Sequence, residues 1–417
     1  MALLESAVRP AAVNDLPAPA APQRVAPAPA EAMTSLWVVA GLAMAPAVAQ
    51  GFGRFAYALV LPAMRDDLGW SYADAGAMGT ANAIGYLGGA VVAARLAERF
   101  GARRIFAWAL VAAALSIAAT ALPSGWWTQG ALRIFTGLAS GIAFVVGGAL
   151  AAAAAAGGGA ARAPTVLGVY VAGVGAGVAL SALAVPPLVA EAGWRGGWVA
   201  LGLLSIVAAL LAAPAIRRTP EPRSRPHGSR SAFALRPILF EMISYGLLGA
   251  GYIAYATFVI AHLKIELGFT PIEVSAFWTV LGLSIVAFTF AWGPILGRLR
   301  GGFGLVATSG VMTAGVLLVL LEPTRPGAYA SAMLFGASGL AAVTAVTTLA
   351  RRIFPPEAWT SAIGALTVAF GVGQIVGPVL SGIVSDGPHG LAAGLWLSIG
   401  ILAAAIFVAL LQREARA

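Results

Sequence analysis

Apolar residues run along this chain in blocks of twenty or so, separated by short polar breaks. A block of about 20 mostly apolar residues is long enough to cross a bilayer as a helix. Such blocks lie near 36–63, 72–94, 103–122, 127–155, 163–190 and 195–216. After a longer polar break come 237–261, 271–296, 303–321, 328–350, 358–385 and 391–411. The pattern predicts twelve membrane helices. The break itself reads RRTPEPRSRPHGSRSAFALR, residues 217–236, and its Pro, Ser and Arg predict a flexible linker. It divides the chain into two six-helix units, 34–216 and 237–417. Residues 1–33 are Ala/Pro-rich and aperiodic, which predicts a disordered tail. The tail lacks the basic start and apolar core of a signal peptide. Met33 is an alternative start to Met1.

Composition agrees with the blocks. The chain is 60% hydrophobic and 10% charged, where a soluble domain carries about 25% charge. The fold class predicted is an all-α membrane protein. There is no cysteine, so disulfides and thiolate metal sites are excluded. Nothing in the chain calls for a metal or a cofactor. The net charge of +9 raises the question of nucleic acid. Alternating the spans answers it: nineteen of the 25 basic residues fall in loops on the side of both termini. Arg65, Arg195, Lys264 and Arg325 fall on the other side, and Arg54 and Arg133 lie within spans. The positive-inside rule then puts both termini in the cytoplasm, and the basic balance needs no nucleic-acid partner.

The two halves echo each other. DLGWSYAD (67–74) matches ELGFTPIE (266–273), each ahead of the second span of its half. Ser71 with Asp74, and Thr270 with Glu273, have the spacing of capping boxes, and Pro271 suits a first helical turn. Gly168, Gly175 and Gly177 of the fifth span recur as Gly364, Gly371 and Gly373 of the eleventh. ARLAERFG (94–101) matches GRLRGGFG (297–304). Three echoes at similar offsets predict a duplicated six-helix unit.

A 6+6 chain with ARLAERFGARR after its second span resembles the major facilitator superfamily, over about residues 34–411. That loop is similar to the superfamily signature G-x-L-A-D-R-x-G-R-R. Ala94 replaces its first glycine and Glu98 its aspartate, while Leu96, Ala97, Arg99, Gly101, Arg103 and Arg104 match. RIFTGLASG (133–141) resembles the fourth-span motif, an arginine followed by spaced glycines. The glycines of the fifth span form a loose version of the antiporter motif, but its Gly-Pro pair is absent, so antiport is not implied. GFGRFAYALVLPAMRDDLGWSYADAG is similar to the bacterial YbfB/YjiJ-like branch. The resemblance implies two pseudo-symmetric bundles, alternating access, and a bacterial inner membrane. It also implies a cavity lined by the first, fourth, seventh and tenth helices. Charge-assisted bonds among Glu98, Arg99, Arg103 and Arg104 would latch the halves across the cytoplasmic face. The second copy of the loop has no acid, which predicts an asymmetric latch.

Within that frame the intramembrane arginines stand out, since each costs about 2.5–3.5 kcal/mol to insert near a helix centre. Arg54 and Arg133 lie at similar depth and are candidates to clamp a carboxylate. The alternative for Arg133 is a structural role against the first span, with Gln50 nearby. Further candidates for substrate contact are Gln50, Tyr57, Asn82, Tyr86, Tyr252, Tyr255 and Gln374. Asn82 and Tyr86 share a helix face, as do Tyr252 and Tyr255. Simple packing is the alternative for the tyrosines, and for Trp278 and Trp292. Thr344 and Thr347 can bond within their own helix. The glycines serve close helix packing rather than phosphate binding. Among carboxylates, Glu241 sits one turn inside the seventh span, where it can snorkel to the surface.

These features predict a transporter of a small organic solute, an anion on the strength of the two arginines. Protons or a counter-substrate would be the coupling partners. Efflux of an amphipathic drug-like compound is the first alternative, and a membrane sensor or scaffold the second. An enzyme is not expected, because intramembrane His and paired carboxylates are missing.

Overall fold

The computed structural model describes residues 36–156, 163–222 and 234–414. The expected tail, 1–33, and most of the 217–236 linker lie outside the described residues. Those described are helical throughout, with no strand among them. The rods are α1 (Leu36–Leu68), α2 (Tyr72–Phe100), α3 (Ala102–Ala119) and α4 (Trp126–Ala156). A single helical stretch follows, Ala163–Arg218, 56 residues long. It is too long for one crossing and turns at Gly193, which adopts φ 65° and ψ −170°. That divides it into α5 (163–192) and α6 (194–218). The second half contains α7 (Arg236–Ile265), α8 (Pro271–Phe288, resuming at Trp292–Arg298), α9 (Phe303–Leu321), α10 (Arg325–Ile353), α11 (Pro356–Ser385) and α12 (Gly390–Leu410). Among the described residues this makes twelve rods, as the sequence pattern predicts.

The packing is pseudo-symmetric. Helix α2 lies on α4 as α8 lies on α10, and α1 on α5 as α7 on α11. Helix α3 lies on α6 as α9 on α12. Between halves, α2 meets α11, α5 meets α8, and α1 meets α7 on the pseudo-axis. The central helices are buried on every side, over residues 51–62 of α1 and 248–263 of α7. Outward faces are apolar: Trp108, Leu115, Trp127, Leu183, Leu203, Leu210 and Phe407 are each more than half exposed. So much exposed apolar surface on long helices suits lipid as solvent.

The sequence echoes have structural counterparts. Both predicted capping boxes form, at Ser71/Asp74 and Thr270/Glu273. The glycines before them, Gly69 and Gly268, both adopt φ 63°, a left-handed turn that favours glycine. The leading acids brace the same loop in each half. Asp67 accepts from Trp194 Nε1, and Glu266 accepts from the Leu391 backbone. In α5, Gly177 abuts the Ala47 backbone of α1, while Gly175 abuts Gly282 of α8 across the halves. Their echoes repeat the arrangement, with Gly373 against Gly246 of α7 and Gly371 against Leu87 of α2.

Candidate functional site

The middle of α1 is not a regular α-helix. Residues Ala47–Phe55 wind as a π-helix, closed where the Ala56 amide donates to the Gly51 carbonyl at 2.9 Å. Pro46 precedes the segment and removes one ladder donor. Gly51 carries no side chain, so the widened coil lies directly on the Gly177 backbone, while Gly53 faces Ser140 and Ile117. π-Helical segments are uncommon and concentrate at functional sites. This one carries Gln50, Arg54 and Phe55.

Arg54 is 7% exposed and lies in the core between the halves. Its guanidinium carbon is 5.7 Å from the centre of the Tyr86 ring on α2. Tyr252 of α7 faces it from the other half, and the Tyr86 hydroxyl meets the Gln50 side chain. Its Nη2 is buried without a hydrogen-bond partner. The titratable neighbours of Arg54 are the Tyr86 and Tyr252 phenols and the Arg133 guanidinium, with no carboxylate among them. The other buried guanidinium repels it.

Arg133 is held differently. Its Nη1 donates to the Gly53 carbonyl at 2.8 Å and its Nε to the Met78 carbonyl at 3.4 Å. The guanidinium also lies 4.8 Å from the Tyr57 ring and 5.3 Å from the Trp198 ring. Asn82 donates to the Arg133 carbonyl, and the Tyr57 hydroxyl donates to the Ala75 carbonyl. Arg133, Tyr57 and Asn82 therefore form a bonded cluster that fixes the π segment against α2 and α4. The two arginines are not a pair of free guanidiniums.

Of the remaining candidates, Tyr86 and Tyr252 face Arg54. Tyr255 lies deeper, bonded to the Ser331 hydroxyl at 2.6 Å and packed on Phe335. Gln374 is buried on α11, next to the close contact of Gly373 with α7. Trp278 is fully buried against Phe277, and Trp292 donates to the Ala337 carbonyl, so both are packed within the second half. Thr347 bonds back to Val343 within its helix. Glu241 does not snorkel: it is 1% exposed, with Oε2 buried and unpartnered, and its backbone amide donates to Gln412 Oε1.

Aromatic rings that the sequence reading did not single out complete the site. Phe55 meets Tyr252 edge-on at 5.9 Å, Phe335 of α10 stacks on Tyr252 at 5.6 Å, and Phe370 of α11 lies 6.0 Å from it. Beside them is a cavity of about 20 Å³, bounded also by Ile285, Leu340 and Gly339. That volume suits a single water. Nothing in the local sequence marks these phenylalanines; only the meeting of four helices selects them.

The arginine-rich loops close within their own halves. Arg103 pairs with Glu221, at the end of α6, at 3.0 Å, and Glu221 also accepts from the Ala102 amide. In the second half, Glu414 beyond α12 accepts from the Gly301 amide and faces Arg300 and Arg352 at 4.0 and 3.9 Å. In this conformation each loop takes its acid from the end of the last helix of its own half. Glu98, Arg99 and Arg104 are exposed. Among the described residues, side-chain bonds join the halves on the α2–α11 seam. Asp386 accepts from the Tyr72 and Ala73 amides, and Thr80 donates to the Ile375 carbonyl.

Comparison with known proteins agrees with this architecture. The family described as "Uncharacterised MFS-type transporter YbfB" matches residues 44–410. The chain belongs to this family of the major facilitator superfamily. A Haemophilus influenzae protein named "Putative metabolite transport protein" is 26% identical over 368 residues, 80% of this chain and 85% of that protein. The crystal structure of the nucleoside transporter NupG superposes with a TM-score of 0.67 at 13% identity, over 90% of this chain and 98% of that one. The D-xylose–proton symporter gives 0.68 at 16% identity, over 91% and 97%. A bacterial homologue of the human lysosomal transporter Spinster, inward-facing and occupied, gives 0.68 at 15%, over 90% and 96%. At such identities the solved structures show the fold. The protein is a multi-pass membrane transporter and not an enzyme.

Proposed function

We propose that this transporter moves a small organic anion by alternating access, with Arg54 meeting the negative charge. The observation that carries the reading is the buried Nη2 of Arg54, unpartnered in a shell of phenols and an amide. A buried cation without a counter-charge is costly, and a carboxylate on the solute would relieve it. Arg133 serves the site indirectly by holding the π segment. The positive-inside rule supports cytoplasmic termini and a bacterial inner-membrane location. On that orientation the α2–α11 bonds lie toward the outside, and this conformation is closed to the exterior. A proton or a counter-substrate supplies the coupling. The aromatic wall beside Arg54 also suits efflux of an amphipathic compound, the second reading. Exchange of radiolabelled carboxylates in proteoliposomes tests both. Flux that survives unchanged in Arg54→Ala and Arg54→Lys would remove Arg54 from the mechanism. Flux of lipophilic cations alone would favour the second reading.

A further inference from the structure

We infer that the solute is an amphipathic monoanion, with one carboxylate on Arg54 and a flat apolar body in the slot beside Tyr252. The inference rests on the anion reading above and narrows it. Charge comes first. Of the two buried guanidiniums, Arg54 has a buried Nη2 without a partner, whereas Arg133 commits Nη1 and Nε to the Gly53 and Met78 carbonyls and is flanked by Tyr57 and Trp198. A second carboxylate would be buried beside a guanidinium already committed to backbone carbonyls, and burying a charge without its own counter-charge is unfavourable. Dianions are disfavoured on this ground.

The walls decide the body. Phe55 follows Arg54 directly in the chain and presents its ring edge-on to Tyr252. Phe335 lies parallel to Tyr252, with an interplanar angle of 5°. Beyond the rings the slot is bounded by Ile285, Leu340 and Gly339. Tyr252 carries the one side-chain polar atom of this lining. A sugar acid entering here would leave hydroxyls without partners, and sites of this kind discriminate strongly on unpaired polar groups. An aromatic or branched apolar body loses nothing and gains stacking.

The slot is adjustable. Its walls come from both halves, Phe55 from the first and Tyr252, Phe335 and Leu340 from the second. Its present volume of about 20 Å³ is therefore set by the approach of the halves. Separation of the halves widens it, so a flat body is gripped and released by the same motion that exposes the site. At its edge, Gly339 has no atom within 4 Å of where a Cβ would sit. A larger side chain is accommodated there without displacing backbone, and it fills space that the solute would use.

The test is competition binding on the purified full-length protein, with radiolabelled benzoate as probe and acetate, gluconate, succinate and benzamide as competitors. Benzoate is expected to bind about tenfold or more tighter than each competitor, a difference of about 1.4 kcal/mol. Arg54→Ala abolishes benzoate binding, and Gly339→Val lowers the benzoate-to-acetate preference while the protein still elutes as a single species. Acetate and gluconate binding as tightly as benzoate, all lost in Arg54→Ala, would overturn this inference and leave the anion reading standing. Benzamide binding as tightly as benzoate, in wild type and Arg54→Ala alike, would overturn both. Absence of benzoate binding at millimolar concentration would also overturn the inference; acetate binding lost in Arg54→Ala would then keep the anion reading.

Discussion

Asp386, at the end of α11, caps the first turn of α2 through Tyr72: the Tyr72 amide donates to its carboxylate at 2.7 Å, and the Ala73 amide follows at 2.9 Å. An acid at a helix N-terminus satisfies orphan donors and meets the positive end of the helix dipole. Here the helix and its cap belong to different halves, so the cap exists only while this end is closed. The pseudo-equivalent helix α8 begins with Pro271, which has no N–H to offer. Loss of a cap costs about 1 kcal/mol, enough to change a two-state ratio roughly fivefold. Asp386→Ala is therefore expected to favour the state open at this end. The chain has no cysteine, so Thr80→Cys supplies a single reporter in the seam. Its reaction with an impermeant thiol reagent should quicken in the Asp386→Ala background, and an equal rate would mean that the cap does not hold the seam.

The two buried arginines should separate in thermal unfolding. Arg133→Met leaves the Gly53 and Met78 carbonyls short of a donor, at about 1–3 kcal/mol for each group left unsatisfied. Its melting temperature in detergent should fall. Arg54→Met removes a charge whose Nη2 has no partner, and should be neutral or stabilising. Binding of an anionic solute should be lost in Arg54→Met. A larger drop for Arg54→Met than for Arg133→Met would contradict this division of labour.

Glycines of the α2–α4 interface should tolerate nothing larger. A Cβ at Gly85 would overlap the Ile134 carbonyl oxygen, and one at Gly141 the Tyr86 carbonyl oxygen. Gly85→Ala should cost about 1–3 kcal/mol through forced separation of the helices. Gly400 has no atom within 4 Å of its missing Cβ, so Gly400→Ala should be neutral or gain up to about 1 kcal/mol of helix propensity. Melting temperatures of the two variants, side by side, check the contrast.

Spans, duplication and family were legible because they depend on local pattern. Block length marks a membrane helix, and the DLGWSYAD and ELGFTPIE echoes build the same turn and cap in each half. Two of the three glycine echoes, Gly175 with Gly371 and Gly177 with Gly373, were legible in the same way as sites of close packing, whereas Gly364 has no atom within 4 Å of its missing Cβ. Partner choice was not legible. Arg54 and Arg133 look alike in sequence, two cations at similar depth, and only the surrounding carbonyls distinguish the bonded one from the free one. Glu221 and Glu414 are ordinary acids after a last helix until the fold brings them under the arginine loops. Asp386 and Phe335 matter through neighbours hundreds of residues or several helices away.

The π-helical run in α1 holds its residues in a wider coil than the regular helix on either side. A coil of that kind has an alternative close by: if its i→i+5 bonds re-form as i→i+4, the residues stay in order but turn about the axis. Arg54 would then point elsewhere, while Gly53, bonded to Arg133, would act as the fixed point of the rotation. The site thus carries its own bearing. Rewinding those nine residues would turn the charge from one neighbour to another, and the flanking turns of α1 would shift along the axis to absorb the change in rise.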